Sequence, residues 1–119
     1  MKREYLDAVA DILEAIEKAL SFCEGMTFKT FAHDDKTVFA VIRALELIGE
    51  AAKKVPAGVR TKHTDIPWRD ITGMRDKLVH EYFGVDLQTV WATVQQDLPA
   101  LRPLIKRLYE DSIGTKKRG

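Results

Sequence analysis

D-D-K-T-V-F-A-V-I-R-A-L-E-L-I-G-E-A-A-K-K-V, Asp34 to Val55, decides the fold. Val38, Val41, Ile42, Leu45, Ile48 and Ala52 recur in steps of three and four, which winds them onto one face of an α-helix. Asp34 or Asp35 stands where a carboxylate can cap the first turn. Arg43, Glu46, Glu50 and Lys53 fall on the polar side, spaced to pair along it. A helix with one apolar stripe must bury it against other helices or a sheet, so the flanking sequence has to supply the partners.

It supplies helices. Upstream, Arg3 to Glu24 repeats the pattern with Leu6, Val9, Leu13, Ile16, Leu20 and Cys23, and Gly25 is a natural stop. Met26 to His33 reads as a connector with room for one short helical turn. Downstream, Pro56 to Asp65 reads as the longest loop. Pro67 then suits the start of a third helix, with Trp68 entering the core and an end near Phe83 and Gly84. Asp86 caps a fourth, in which Leu87, Trp91, Val94, Leu98, Leu101, Ile105 and Leu108 hold one apolar phase past Pro99 and Pro103. That unbroken phase predicts a bent helix or two nearly collinear ones, kinked at Pro99, where a hydrogen bond is lost. No strand pattern or repeat is present. The expectation is an all-α, antiparallel up-and-down bundle of four to five helices in a single domain over residues 1–111, followed by a basic, disordered tail over 112–119.

Composition narrows the function classes. The 119 residues suffice for one domain with one core. Hydrophobic residues make up 45% and charged residues 31%, as in globular domains rich in surface ion pairs. The lone Cys23 excludes an internal disulfide and suits a reducing, cytoplasmic setting. No apolar run approaches the length of a membrane span, so no membrane partner is expected. The formal net charge is only +1, so any contact with nucleic acid must use a local patch.

The third helix carries the chemistry. Arg75, Asp76, Lys77, Leu78, Val79, His80, Glu81 and Tyr82 join a permanent cationic fork, a group that titrates near neutral pH and a phenol. At about 100° per residue, Arg75 and Tyr82 share one line beside the Ile71, Met74 and Leu78 stripe, whereas His80 lies about 140° from Arg75. His80 shares its face with Arg69, Gly73 and Asp76. Asp76, four residues earlier, can favour and orient an imidazolium. One straight helix therefore does not converge Arg75 and His80 on a small phosphate. Either the last turn is irregular or a second copy supplies the missing group, and Gly73 would permit close approach of another helix. The spacing alone is also compatible with an ordinary solvated face.

The same residues carry a family resemblance. R-D-K-L-V-H-E-Y, Arg75 to Tyr82, matches the R-x4-H-x-Y motif of the HepT-type HEPN ribonuclease toxins. A-V-I-R-A-L-E-L-I-G-E-A-A-K (Ala40 to Lys53), I-P-W-R-D-I-T-G-M-R-D-K-L-V-H-E-Y-F-G-V-D (Ile66 to Asp86) and V-W-A-T-V-Q-Q-D-L-P (Val90 to Pro99) resemble that family's blocks in the same order. The N-terminal helix matches in pattern only. The resemblance implies a small all-helical homodimer acting as a metal-independent endoribonuclease, paired with a minimal nucleotidyltransferase antitoxin that blocks it and transfers AMP to the motif tyrosine. Carried over by position, Arg75 and His80 would be catalytic, Asp76 supporting, and Tyr82 the AMP acceptor.

RNA carries its own nucleophile, the 2′-hydroxyl, so this chemistry requires no metal or cofactor, and none is expected. His33, Asp34 and Asp35, with His63 and Asp65, lie near helix starts where Asp serves as a cap, so capping is the preferred account of them. Trp68 and Trp91 are read as core anchors. The competing functional reading is a non-catalytic RNA- or nucleotide-binding partner of a nucleotidyltransferase.

Overall fold

The computed structural model describes the backbone of residues 2–80 and 86–118, and side chains over 5–74 and 86–114. The fold is an all-α bundle. Its helices are α1 (Lys2–Phe22), α2 (Phe28–Ala32), α3 (Asp35–Ala52), α4 (Ala57–Lys62), α5 (Trp68–His80), α6 (Leu87–Ala92) and α7 (Leu98–Arg118), with a π-helical turn, Thr93–Asp97, joining α6 to α7.

Side by side, the long helices run α5, α3, α1, α7, with α3 packed between α5 and α1, and α1 between α3 and α7. α1 and α7 are antiparallel: the Tyr5 hydroxyl bonds the Ser112 hydroxyl at one end, and Arg102 Nη2 lies 3.8 Å from Glu17 Oε1 further along. Val9, Ile12, Ile16, Phe31, Val41, Leu45, Ile48, Ile71, Val94, Leu98, Ile105 and Leu108 form the centre of the core. Among the described residues no polar or charged side chain is buried.

Local chemistry sets the ends. α1 stops at Gly25, whose φ of 78° is a left-handed value that glycine adopts without steric cost. Thr27 and Thr30 form a reciprocal capping box that starts α2. Asp34 caps α3, accepting the Thr37 amide at 3.1 Å. Those hydrogen bonds favour the carboxylate, so the Asp34 pKa is lowered, chiefly by the Thr37 amide. Asp86 caps α6 through the Gln88 amide at 3.0 Å and the Thr89 hydroxyl at 2.9 Å. α2 turns Phe28 and Phe31 onto Trp91, with ring centroids 6.4 and 5.2 Å away, and so clamps α6.

Four features differ from the sequence expectation. The buried line of α1 is Ala8, Val9, Ile12, Ala15, Ile16, Ala19 and Cys23, while Leu13 and Leu20 sit at its margin. Alanines face inward because α1 lies between two helices and small side chains let backbones approach. Burial also pushes the Cys23 thiol pKa up, so it stays protonated and acts as a small apolar residue. Pro56 to Asp65 is not one long loop: α4 forms there, with Pro56 at its N-cap. Pro99 follows a π-helical turn in which the Leu98 amide bonds the Thr93 carbonyl. Widening the helix by one residue there eases the clash between a proline ring and the preceding turn. Finally, α7 does not end at residue 111; its backbone stays helical through Arg118 where a disordered tail was expected.

Candidate active site

The motif rides on α5, and its first turn is the most firmly held part. The Trp68 ring is buried, at 9% exposure, and its Nε1 donates to the His63 carbonyl at 3.0 Å. The Thr72 hydroxyl returns to the Trp68 carbonyl at 2.9 Å. Ile71 is buried and Met74 packs against the core. Arg60 of α4 ties this turn to α3. Its Nη2 and Nε donate to the carbonyls of Ala52 and Val55, at 2.8 and 3.0 Å, and its Cζ lies 5.8 Å from the centre of the Trp68 ring. A guanidinium thus satisfies carbonyls that the end of α3 leaves open and sets the start of α5 beside it. Because α5 also packs on α3, the two helices are antiparallel.

The helical backbone is continuous from Trp68 to His80. Position 75 lies one turn beyond Ile71 and two beyond Trp68, on the inward line. Position 80 lies two turns beyond Gly73, about 140° from position 75. The last turn through His80 is α-helical, so the two motif positions of one subunit point apart. The side chains of Arg75, Asp76 and His80 lie outside the described residues. Tyr82, the expected AMP acceptor, lies outside them entirely, as does the expected helix end at Phe83 and Gly84.

The flanks of α5 differ in charge. On one side a groove of about 410 Å³ opens toward the π-helical turn and α7. Ile71, Met74 and Leu101 floor it, and Asp65, Asp70 and Asp97 stand on its walls. Three carboxylates make it unfavourable for RNA phosphate. On the other side are Arg69, which is exposed, and Gly73. A Cβ built on Gly73 meets nothing within 4 Å. No packing inside the subunit therefore calls for glycine, which costs about 0.5–1 kcal/mol relative to alanine inside a helix.

The metal-like groupings resolve into helix ends. Asp34 is the cap of α3, and His33 Nδ1 is 2.8 Å from the Lys29 carbonyl. Two features here were not anticipated. Arg60 was hidden because its partners are backbone carbonyls, which no sequence pattern displays. Phe39, on the solvent face of α3, is 74% exposed; its signal was present, as an aromatic one step off the apolar phase.

Comparison with known proteins agrees with this arrangement. The chain matches the family described as ribonuclease HepT-like over residues 12–108. It is 49% identical over 108 residues to a probable ribonuclease HepT of Thermococcus cleftensis, covering 91% of this chain and 98% of that protein. It is 40% identical over 108 residues to a putative RNase of Caldanaerobacter subterraneus, covering 91% and 94%. It is 39% identical over 113 residues to a putative RNase of Methanocaldococcus jannaschii, covering 95% and 93%. No solved structure matches the chain significantly. Among the described residues no helix is long and apolar enough to cross a membrane. With the match spanning most of the bundle and all of α5, the chain belongs to the HepT-like ribonuclease family.

Proposed function

We propose that this chain is a metal-independent endoribonuclease toxin, acting in the cytoplasm as a homodimer. Arg75 and His80 are its catalytic residues, and Asp76 orients His80. The observation that carries this reading is the unbroken α-helix from Trp68 to His80, which separates the two motif positions by about 140° in a chain of a ribonuclease family. One subunit then offers half a site, and a two-fold pair offers two guanidinium and two imidazole groups around one cleft.

In that cleft one neutral His80 takes the proton of the RNA 2′-hydroxyl. The oxygen attacks the adjacent phosphorus and the bond to the 5′-oxygen breaks. A protonated His80 from the other subunit donates its proton to that leaving oxygen, giving a 2′,3′-cyclic phosphate and a free 5′-hydroxyl. Arg75 stabilises the charge that builds on the phosphorane-like transition state. A cognate minimal nucleotidyltransferase acts as antitoxin by transferring AMP to Tyr82, adding negative charge and bulk where RNA phosphate must enter.

The test is RNA cleavage by the purified chain in excess EDTA. Cleavage should persist, and His80→Ala should slow it by about 10²- to 10⁴-fold. Cleavage abolished by EDTA would reject the metal-free scheme, and a fully active His80→Ala would reject the assignment of His80. Intact mass after co-expression with the transferase tests the modification: added AMP on the parent chain and none on Tyr82→Phe is expected.

A further inference from the structure

α3 carries an uncovered ridge on its solvent face. Phe39, Arg43 and Leu47 stand at successive turns, i, i+4 and i+8. Such rows are what interdigitate when two helices cross. Phe39 is 74% and Leu47 41% exposed, whereas Val38, Val41, Leu45 and Ile48 on the opposite side are buried. Between the two apolar ends, Arg43 Nη1 lies 3.8 Å from Glu46 Oε1 and 3.5 Å from Glu50 Oε2. The ridge thus reads apolar, charged, apolar about Arg43, with both signs of charge at its centre.

A surface that meets itself across a two-fold needs that symmetry and that balance. Crossed antiparallel on Arg43, the ridge sets Phe39 against the partner subunit's Leu47 and Arg43 within reach of the partner's Glu46. RNA is a poorer occupant, since a base stacked on Phe39 would bring its phosphates toward the two glutamates.

We propose that the Phe39–Arg43–Leu47 ridge of α3 is the seat of a second copy of this chain, and that this contact assembles the nuclease site. The consequence for the site rests on the nuclease reading above; the contact itself does not. A two-fold axis lying between two antiparallel helices keeps whatever flanks one side of α3 on that same side in the copy. Both α5 helices therefore line one edge of the α3 pair. Height follows as well. α3 and α5 are antiparallel, and Arg60 ties Ala52 to Trp68. Both helices advance about 1.5 Å per residue. Level with Arg43, nine residues before Ala52, is the position nine residues after Trp68, Lys77. An axis at Arg43 thus passes the middle of the Arg75–His80 segment in both copies.

Sedimentation of the full chain at micromolar concentration, with RNA cleavage measured on the same samples, tests this. The parent should be a dimer. Phe39→Asp should raise the dimer dissociation constant about 100-fold or more, because the contact occurs twice, and cleavage should fall with it. Arg43→Glu and Glu46→Arg should each be monomeric alone and form a mixed dimer when combined, since only the mixture restores opposite charges at both crossings. All three residues are on the surface, so helical circular dichroism and melting should stay near parental and separate lost assembly from lost folding. A monomeric parent overturns the proposal. So does a Phe39→Asp chain that stays dimeric with no pairing of the charge-swapped chains, or one that stays dimeric but binds RNA more weakly. A parent that dimerises through this ridge and leaves RNA intact keeps the interface and removes the nuclease reading instead.

Discussion

At the residue scale, the assigned chemistry depends on the shape of Arg75 as much as on its charge. A guanidinium presents a planar fork that holds two phosphate oxygens, whereas an ammonium is a point charge on a flexible stem. Arg75→Lys should therefore keep much of the RNA affinity and lose about 10²-fold in turnover, as when one donor to a developing oxyanion is removed. Single-turnover cleavage at saturating enzyme separates the two; unchanged turnover would mean that Arg75 only binds. Asp34 supports a prediction from a described hydrogen bond. Its folded pKa is lowered, chiefly by the Thr37 amide. Its stabilising contribution is thus fully present above the unfolded carboxylate pKa and is lost as pH falls through the folded value. Asp34→Ala should lower the melting temperature at neutral pH, and the gap from the parent should close below about pH 4. A gap that is independent of pH would mean that the cap does not act through its charge.

At the element scale, α5 is positioned from its N-terminal end. Arg60 makes two charge-assisted bonds to the end of α3 and lies against the Trp68 ring. Arg60→Ala should cost about 2 kcal/mol of folding stability by urea unfolding. Arg60→Lys should recover little, since one ammonium cannot match the directions of both bonds. A neutral Arg60→Ala would show that water satisfies those carbonyls equally well. This is also the scale at which the sequence was least legible. Stripes such as Val38 to Ala52 and Leu87 to Leu108 fix which helices exist, because periodicity reports burial directly. Periodicity weighted by large side chains favoured Leu13 and Leu20 over Ala8, Ala15 and Ala19 as the inner line of α1. It could not show that two packed neighbours would select small residues. It also missed α4, whose six residues bury no side chain and so leave no stripe to read. The Arg75 to Tyr82 motif was legible as chemistry, and the continuous helix adds that positions 75 and 80 of one copy face apart.

At the scale of the molecule, a subunit of 50 × 29 × 21 Å presents a long flank on which α3 and α5 lie side by side. If each subunit cut RNA independently, mixing parent with an equal amount of His80→Ala chain would leave about half the activity per total protein. If one phosphodiester needs His80 from both copies, as base and as acid, only parental dimers cut. After full exchange of subunits these are about one quarter of all dimers. Residual activity should therefore follow the square of the parental fraction. The same shared site predicts a bell-shaped dependence of kcat on pH, because two nearby imidazoles release their protons in separated steps and only the singly protonated pair is active. Mixing and pH test different links of one argument. A square law with a flat pH profile would keep the shared cleft but take proton transfer away from the imidazoles. A linear law would place a complete site on each subunit, which the 140° between positions 75 and 80 of one straight helix opposes.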